Sequence, residues 1–213
     1  MVKIMEKPPT QQKTPRLLFA LVIAAPLADA LASALHPAMP QDAERLLAVV
    51  DGTGRWYLMS LLGLVASGLV VAAAVVMGRW VRARSPVLGT IAMVSAFVGG
   101  VLMASMQGFK LFLPTLARLA PVDGGTAVDE FIGSASFAPM VAGFMLRALG
   151  WTLLGVAAAK SGIVSWRTAL LVGIGAILAF QLPAGPDAVG WVLVAIGVGV
   201  IANRTVVGRP QPA

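Results

Sequence analysis

The chain has 213 residues, 58% hydrophobic and 12% charged, with a mean hydropathy of +0.88. That is too apolar for a soluble domain of this length and implies a membrane protein with several crossings, because each crossing consumes about 20 apolar residues. The lack of cysteine excludes disulfides, thiolate nucleophiles and Cys-ligated zinc or iron–sulfur centres, and a single histidine excludes bis-histidine haem; the net charge of +7 is scattered at the ends of apolar runs, which reads as orientation charge facing anionic lipid and not as a nucleic-acid surface.

Apolar runs at about 17–36, 57–78, 86–107, 138–159, 165–182 and 187–203, bounded by charge, proline or aromatic residues, predict six helices. They are continuously apolar and rich in Gly and Ala, unlike the roughly ten-residue alternating segments of a transmembrane barrel. The expected fold is all-α, one polytopic bundle of six spans over 17–203, flanked by a basic tail at 1–16 and a second tail at 204–213. The first run also fits a secretory signal, with a basic leader and the patterns Ala28-Asp29-Ala30 and Ala32-Ser33-Ala34; cleavage would leave five spans, but the run is long enough to cross.

Two connections are long enough to hold structure. Residues 41–50 place Leu46, Leu47 and Val50 opposite Asp42, Glu44 and Arg45, as in a short interfacial helix, and Lys110 to Ala120 reads the same way, with Phe112, Leu116 and Leu119 against Lys110 and Arg118. Thr126 stands three residues before Asp129, so Asp129 and Glu130 read as the first turn of a capped helix and not as a carboxylate pair for catalysis. In the third span Ala92, Ala96, Gly100, Ala104 and Gly108 recur every fourth residue, a ridge of small residues for close helix packing within the chain or between copies.

Orientation follows from the basic residues. With the N-terminus inside, Lys3, Lys7, Lys13, Arg16, Arg79, Arg82, Arg84, Lys160, Arg167, Arg204 and Arg209 face the cytoplasm, while Arg45, Arg55, Lys110 and Arg118 lie outside with most of the carboxylates. The Lys/Arg bias therefore predicts that both termini are cytoplasmic. Trp56, Tyr57 and Trp191 fall at the outer interface, and Trp80 and Trp166 at the inner one, in agreement with that assignment.

Asp29 and Arg147 lie inside the first and fourth spans, where an unpaired charge is costly. Counted from the outer ends, they sit about 10 and 14 Å deep at 1.5 Å per residue. Small residues flank both, so the first and fourth helices are expected to adjoin, with the two side chains in a charge-assisted hydrogen bond. The pair serves either as a buried link that fixes helix register or as a site for an ion, a proton or an anionic solute. His36, at the outer mouth of the first span, is a possible proton relay to Asp29.

Other motifs fail on context. Gly197 to Ala202 matches a dinucleotide-binding pattern but lies inside a span, and Ser134 and Ser136 have no histidine nearby in sequence. Met103 and Met106, with Met93 and Met140, could offer thioethers to copper(I), though methionine is more often a gap-filler. No catalytic, cofactor-binding or metal-ligating set is legible, and no cofactor is expected.

The segment Ser161-Gly162-Ile163-Val164-Ser165-Trp166-Arg167, a short hinge leading into a Gly/Ala-rich span, resembles that of small bacterial six-span membrane proteins of unknown function. The resemblance implies a bacterial cytoplasmic membrane and says nothing about substrate. The expected role is that of a non-enzymatic accessory, structural or partner-binding membrane protein, with lipid, a membrane-protein partner or a second copy as its contacts. The alternative is a small-solute or proton-coupled transporter built on Asp29 and Arg147.

Overall fold

The computed structural model describes residues 14–37, 50, 54–119, 123–183 and 185–207. They form α1 (Thr14–Ala34), α2 (Gly54–Arg82), α3 (Pro86–Leu119), α4 (Gly124–Gly133), a short 3₁₀ turn (Ala135–Phe137), α5 (Ala138–Lys160), α6 (Trp166–Gln181) and α7 (Ala188–Val207), with no strand among the described residues. Five helices, α1, α2, α3, α5 and α7, are long and apolar enough to cross a membrane. The sixth apolar helix, α6, has 16 residues and reaches about 24 Å against a hydrocarbon core of about 30 Å. Most of the segment expected as an interfacial helix, 41–49, lies outside the described residues, as do residues 1–13 and 208–213 of the two tails.

Each of the six apolar helices packs on its neighbours in the chain, and α1 packs on α7, so that the order α1, α2, α3, α5, α6, α7 closes into a ring. In that ring α1 and α5 lie opposite each other. The expectation that they adjoin is therefore corrected: the main partners of α1 are α2 and α7. Depth along the axis identified the charged couple, but depth carries no information about position around a ring.

Two cores fill the bundle. The larger joins Val22 and Ala25 of α1, Met77 and Val81 of α2, Trp151 and Leu154 of α5, and Val172, Val198 and Ile201 of α6 and α7. The smaller lies at the other end, where Val50, Trp56, Met59, Leu113, Ala117 and Val128 pack together. The end nearest the larger core carries Arg16, Arg79, Arg82, Arg84, Lys160, Arg167 and Arg204, and no carboxylate among the described residues. Trp56 and Trp191, expected at a lipid interface, are instead buried.

The small-residue ridge of α3 only partly packs. Ala92, Ala96 and Gly100 are buried, but Ala104 is half-buried and a Cβ on Gly108 would meet nothing within 4 Å. A four-residue repeat drifts around a 3.6-residue helix, so its far end leaves the interface. Two close approaches of α3 to α5 involve Gly99, which lies off that ridge, and Ala96, which belongs to it. A Cβ on Gly99 would run into the backbone of Arg147, and one on Gly150 into the backbone of Ala96.

The hinge after α5 is a helix-terminating turn. Gly162, at φ 67°, donates to the Ala159 carbonyl at 3.0 Å, and Ile163 donates to that of Ala158 at 3.0 Å. That pairing satisfies the last carbonyls of the helix and requires a left-handed residue where glycine stands.

Helix α3 does not end near residue 107, as expected, but runs 34 residues through Pro114, so Lys110 to Leu119 continues it and is not a separate interfacial helix. Proline has no N–H and leaves the carbonyl four residues earlier, that of Lys110, without its helical donor. The buried Trp56 indole N–H supplies one at 2.7 Å. Trp56→Phe should therefore cost about 1–3 kcal/mol by orphaning that carbonyl. Pro114→Ala in the same chain should restore much of it, because the alanine brings a backbone N–H that can donate to the Lys110 carbonyl, and thermal unfolding of the single and double variants checks the coupling. Beyond α3, α4 begins at Gly124 with Asp123 before it and no side-chain cap, so Thr126 lies within the helix and does not cap it. Phe131 of α4 stacks on Phe109 of α3 at 4.4 Å.

Candidate functional site

Close packing of Gly99 and Gly143 between α3 and α5 leaves no room for a long side chain on that side of α5, and Arg147 turns toward the ring axis, 3% exposed. It reaches across the ring and forms an ion pair with Asp29 of α1, itself 6% exposed. An arginine stem spans that width, which an adjoining pair of helices would not require. The Arg147 guanidinium also lies over the Trp191 ring of α7, 4.6 Å from its centroid, a cation–π contact strengthened by exclusion of water. Among the described residues Arg147 Nε has no hydrogen-bond partner, nor does Trp151 Nε1 one turn further along α5.

Toward the smaller core, Lys110 Nζ lies 3.1 Å from His36 Nε2, and His36 Nδ1 lies 2.9 Å from the Pro37 carbonyl. A lysine ammonium can only donate and a carbonyl can only accept. His36 is thus the neutral tautomer, donating from Nδ1 and accepting at Nε2. The relay expected between His36 and Asp29 is replaced by this contact with Lys110. Arg55 holds the end of α1 in place, its Nε donating to the Leu35 carbonyl at 2.6 Å, where α1 has run out of helical donors.

Asp187 enters from the turn between α6 and α7. Its carboxylate accepts from the Ser33 hydroxyl at 2.9 Å and from the Gly185 N–H at 2.9 Å. Asp187 stands immediately before α7, and its bond to Ser33 sets it beside the last turn of α1. Gln107, 7% exposed, fills the space left by Gly63, where a Cβ would meet Gln107 Cδ at 2.5 Å.

These groups share one cavity of about 240 Å³ between the two cores. Asp29, His36, Gln107, Lys110, Arg147 and Asp187 supply its polar lining, and Met59, Met103, Met106, Phe144, Phe180 and Trp191 its apolar wall. Of the sequence candidates, Asp29, Arg147 and His36 line it. The ridge Ala92, Ala96, Gly100, Ala104 and Gly108 does not, nor do Met93, which packs against Gly78, and Met140. Lys110, Gln107 and Asp187 were missed as site residues. Continuing the third helix through residue 110 would have found two of them, since Met103, Met106, Gln107 and Lys110 recur at three- and four-residue spacing on one face. No group of three metal-ligating His, Asp or Glu side chains forms among the described residues. Comparison with family models, curated proteins and solved structures returned no match.

Burial, and then the Lys110 charge, push the His36 imidazole down to about 4. A depressed histidine contributes stability that is present above its unfolded value near 6.5 and is lost as pH falls toward about 4. Burial raises the Asp187 carboxyl against the pull of Ser33, Gly185 and Lys110, and a raised acid acts in the opposite sense, favouring the fold at lower pH. His36→Gln should therefore flatten the loss of stability between pH 6.5 and 4 while leaving the Asp187 contribution in place. Thermal unfolding of both proteins across that range measures the difference.

Proposed function

We propose that this chain is a six-span membrane protein with both termini in the cytoplasm, and that its cavity is the extracytoplasmic binding site of a small-solute carrier. The observation that carries the reading is the density of ionisable side chains, Asp29, His36, Lys110, Arg147 and Asp187, on one small cavity in an otherwise apolar bundle. A couple needed only to fix helix register has no use for the open volume beside it or for the additional charges. Polar groups at membrane depth mark solute and ion paths more often than they mark scaffolding.

The larger core closes the ring between the cavity and the basic end. In the carrier reading this is the outward-facing state, and release to the cytoplasm needs the helices around Trp151 and Leu154 to part. Trp151, whose indole N–H has no partner among the described residues, lies on that route. The test is uptake of a mixed pool of small polar solutes into proteoliposomes, read by mass spectrometry. Wild-type protein should accumulate one solute class above empty vesicles, and Asp29→Asn with Arg147→Gln should abolish the gain. No protein-dependent accumulation would return the pair to a structural or partner-binding role.

A further inference from the structure

Four formal charges face the cavity, and they balance. Asp29 and Arg147 neutralise each other, while His36 is uncharged in its hydrogen-bonded tautomer. That leaves Lys110 and Asp187, which line the same space and act on each other electrostatically, yet form no ion pair within 4.0 Å. Lys110 is held toward His36 and Asp187 toward Ser33 and Gly185, so the two charges are kept apart across open volume. A net anion would answer Lys110 and face the Asp187 carboxylate without compensation, and a net cation would do the reverse. A ligand with both charges answers both.

A second observation points the same way. Arg147 is buried and lines the cavity, and its Nε has no partner among the described residues after Asp29 and Trp191 have been met. A buried guanidinium N–H without an acceptor is costly, and a ligand carboxylate beside it removes that cost. The volume, about 240 Å³, lies below the roughly 300–1,000 Å³ of sites for drug-sized molecules, so the ligand is small. The remaining wall is thioether and aromatic, suited to an apolar body of variable shape.

We infer that the cavity binds a small zwitterion, an amino acid with an apolar side chain, its carboxylate toward Lys110 and Arg147, its ammonium toward Asp187, and its side chain against Met59, Met103, Met106 and Phe144. The inference rests on the reading of the cavity as a solute site and names the solute class. It is tested by calorimetric titration of the full chain in detergent with alanine, leucine and methionine, against isocaproate, which lacks the amine of leucine, and isoamylamine, which lacks its carboxylate. At least one zwitterion should bind, and both analogues should bind at least about tenfold more weakly than leucine, the loss expected for one charge-assisted hydrogen bond. Asp187→Asn should weaken leucine by a similar factor and leave isocaproate unchanged.

If isocaproate or isoamylamine binds as tightly as leucine, the zwitterion inference fails and the solute site stands. If none of the five compounds binds the wild-type chain, the zwitterion inference fails, and the solute site is decided by the uptake measurement. The comparison of ligands on wild-type protein decides the matter even where a variant does not fold.

Discussion

Arg147→Met should destabilise the bundle by about 3–5 kcal/mol, the cost of leaving a buried partner charge without its counter-ion. Asp29 is 6% exposed, and with Arg147 gone no other cation pairs with it among the described residues. The double variant Asp29→Leu with Arg147→Met removes both charges and replaces them with apolar volume, and it should regain most of the stability. Unfolding of the detergent-solubilised single and double variants gives the coupling directly. A single variant as stable as the wild type would show that the pair contributes nothing to the fold. In the carrier reading the double variant separates structure from function, since it folds and does not bind.

The second large effect falls on the contact between α3 and α5. Gly99→Ala and Gly150→Ala each direct a methyl group into the backbone of the opposing helix, at Arg147 and Ala96 respectively. Backbone cannot swing away as a side-chain tip does, so the helices must separate. Each substitution should cost about 1–3 kcal/mol or more and should also shift Arg147, which leaves α5 at that contact. Gly108→Ala, at a position where an added Cβ meets nothing within 4 Å, should be neutral or slightly stabilising through helix propensity. Equal effects at Gly99, Gly150 and Gly108 would contradict the packing described here.

The sequence revealed the helices better than their arrangement. Continuous apolar runs marked all six apolar helices because lipid leaves the backbone few other structures. The ends were harder to read. Helix α2 continues to Arg82 and α3 to Leu119, since a helix can outlast its apolar stretch when its polar residues reach water and a proline's orphaned carbonyl finds a donor such as Trp56. Asp29 and Arg147 stood out because an isolated charge in hydrocarbon needs a partner. Their placement across the ring was not legible, because residue depth is encoded in sequence position and angular position is not. Lys110 and Asp187 looked like surface charges. They join the site because α3 outlasts its apolar run and because the residue before α7 meets Ser33 of α1, both of them tertiary outcomes. The packing glycines were visible as small residues, but the regular ridge supplies only part of the close contact, through Ala96, while Gly99 lies off it.

Thiol accessibility shows whether the polar cavity opens outside the cell and the basic end faces the cytoplasm, and a chain without cysteine needs no background removed. Single cysteines at Thr126 on α4, at Met106 in the cavity wall and at Ala83 between α2 and α3 sample the two ends and the site. A membrane-impermeant reagent applied to intact cells should modify Thr126→Cys and Met106→Cys and should reach Ala83→Cys only after permeabilisation. Labelling of Ala83→Cys from outside, with protection of the other two, would invert the map and contradict the account.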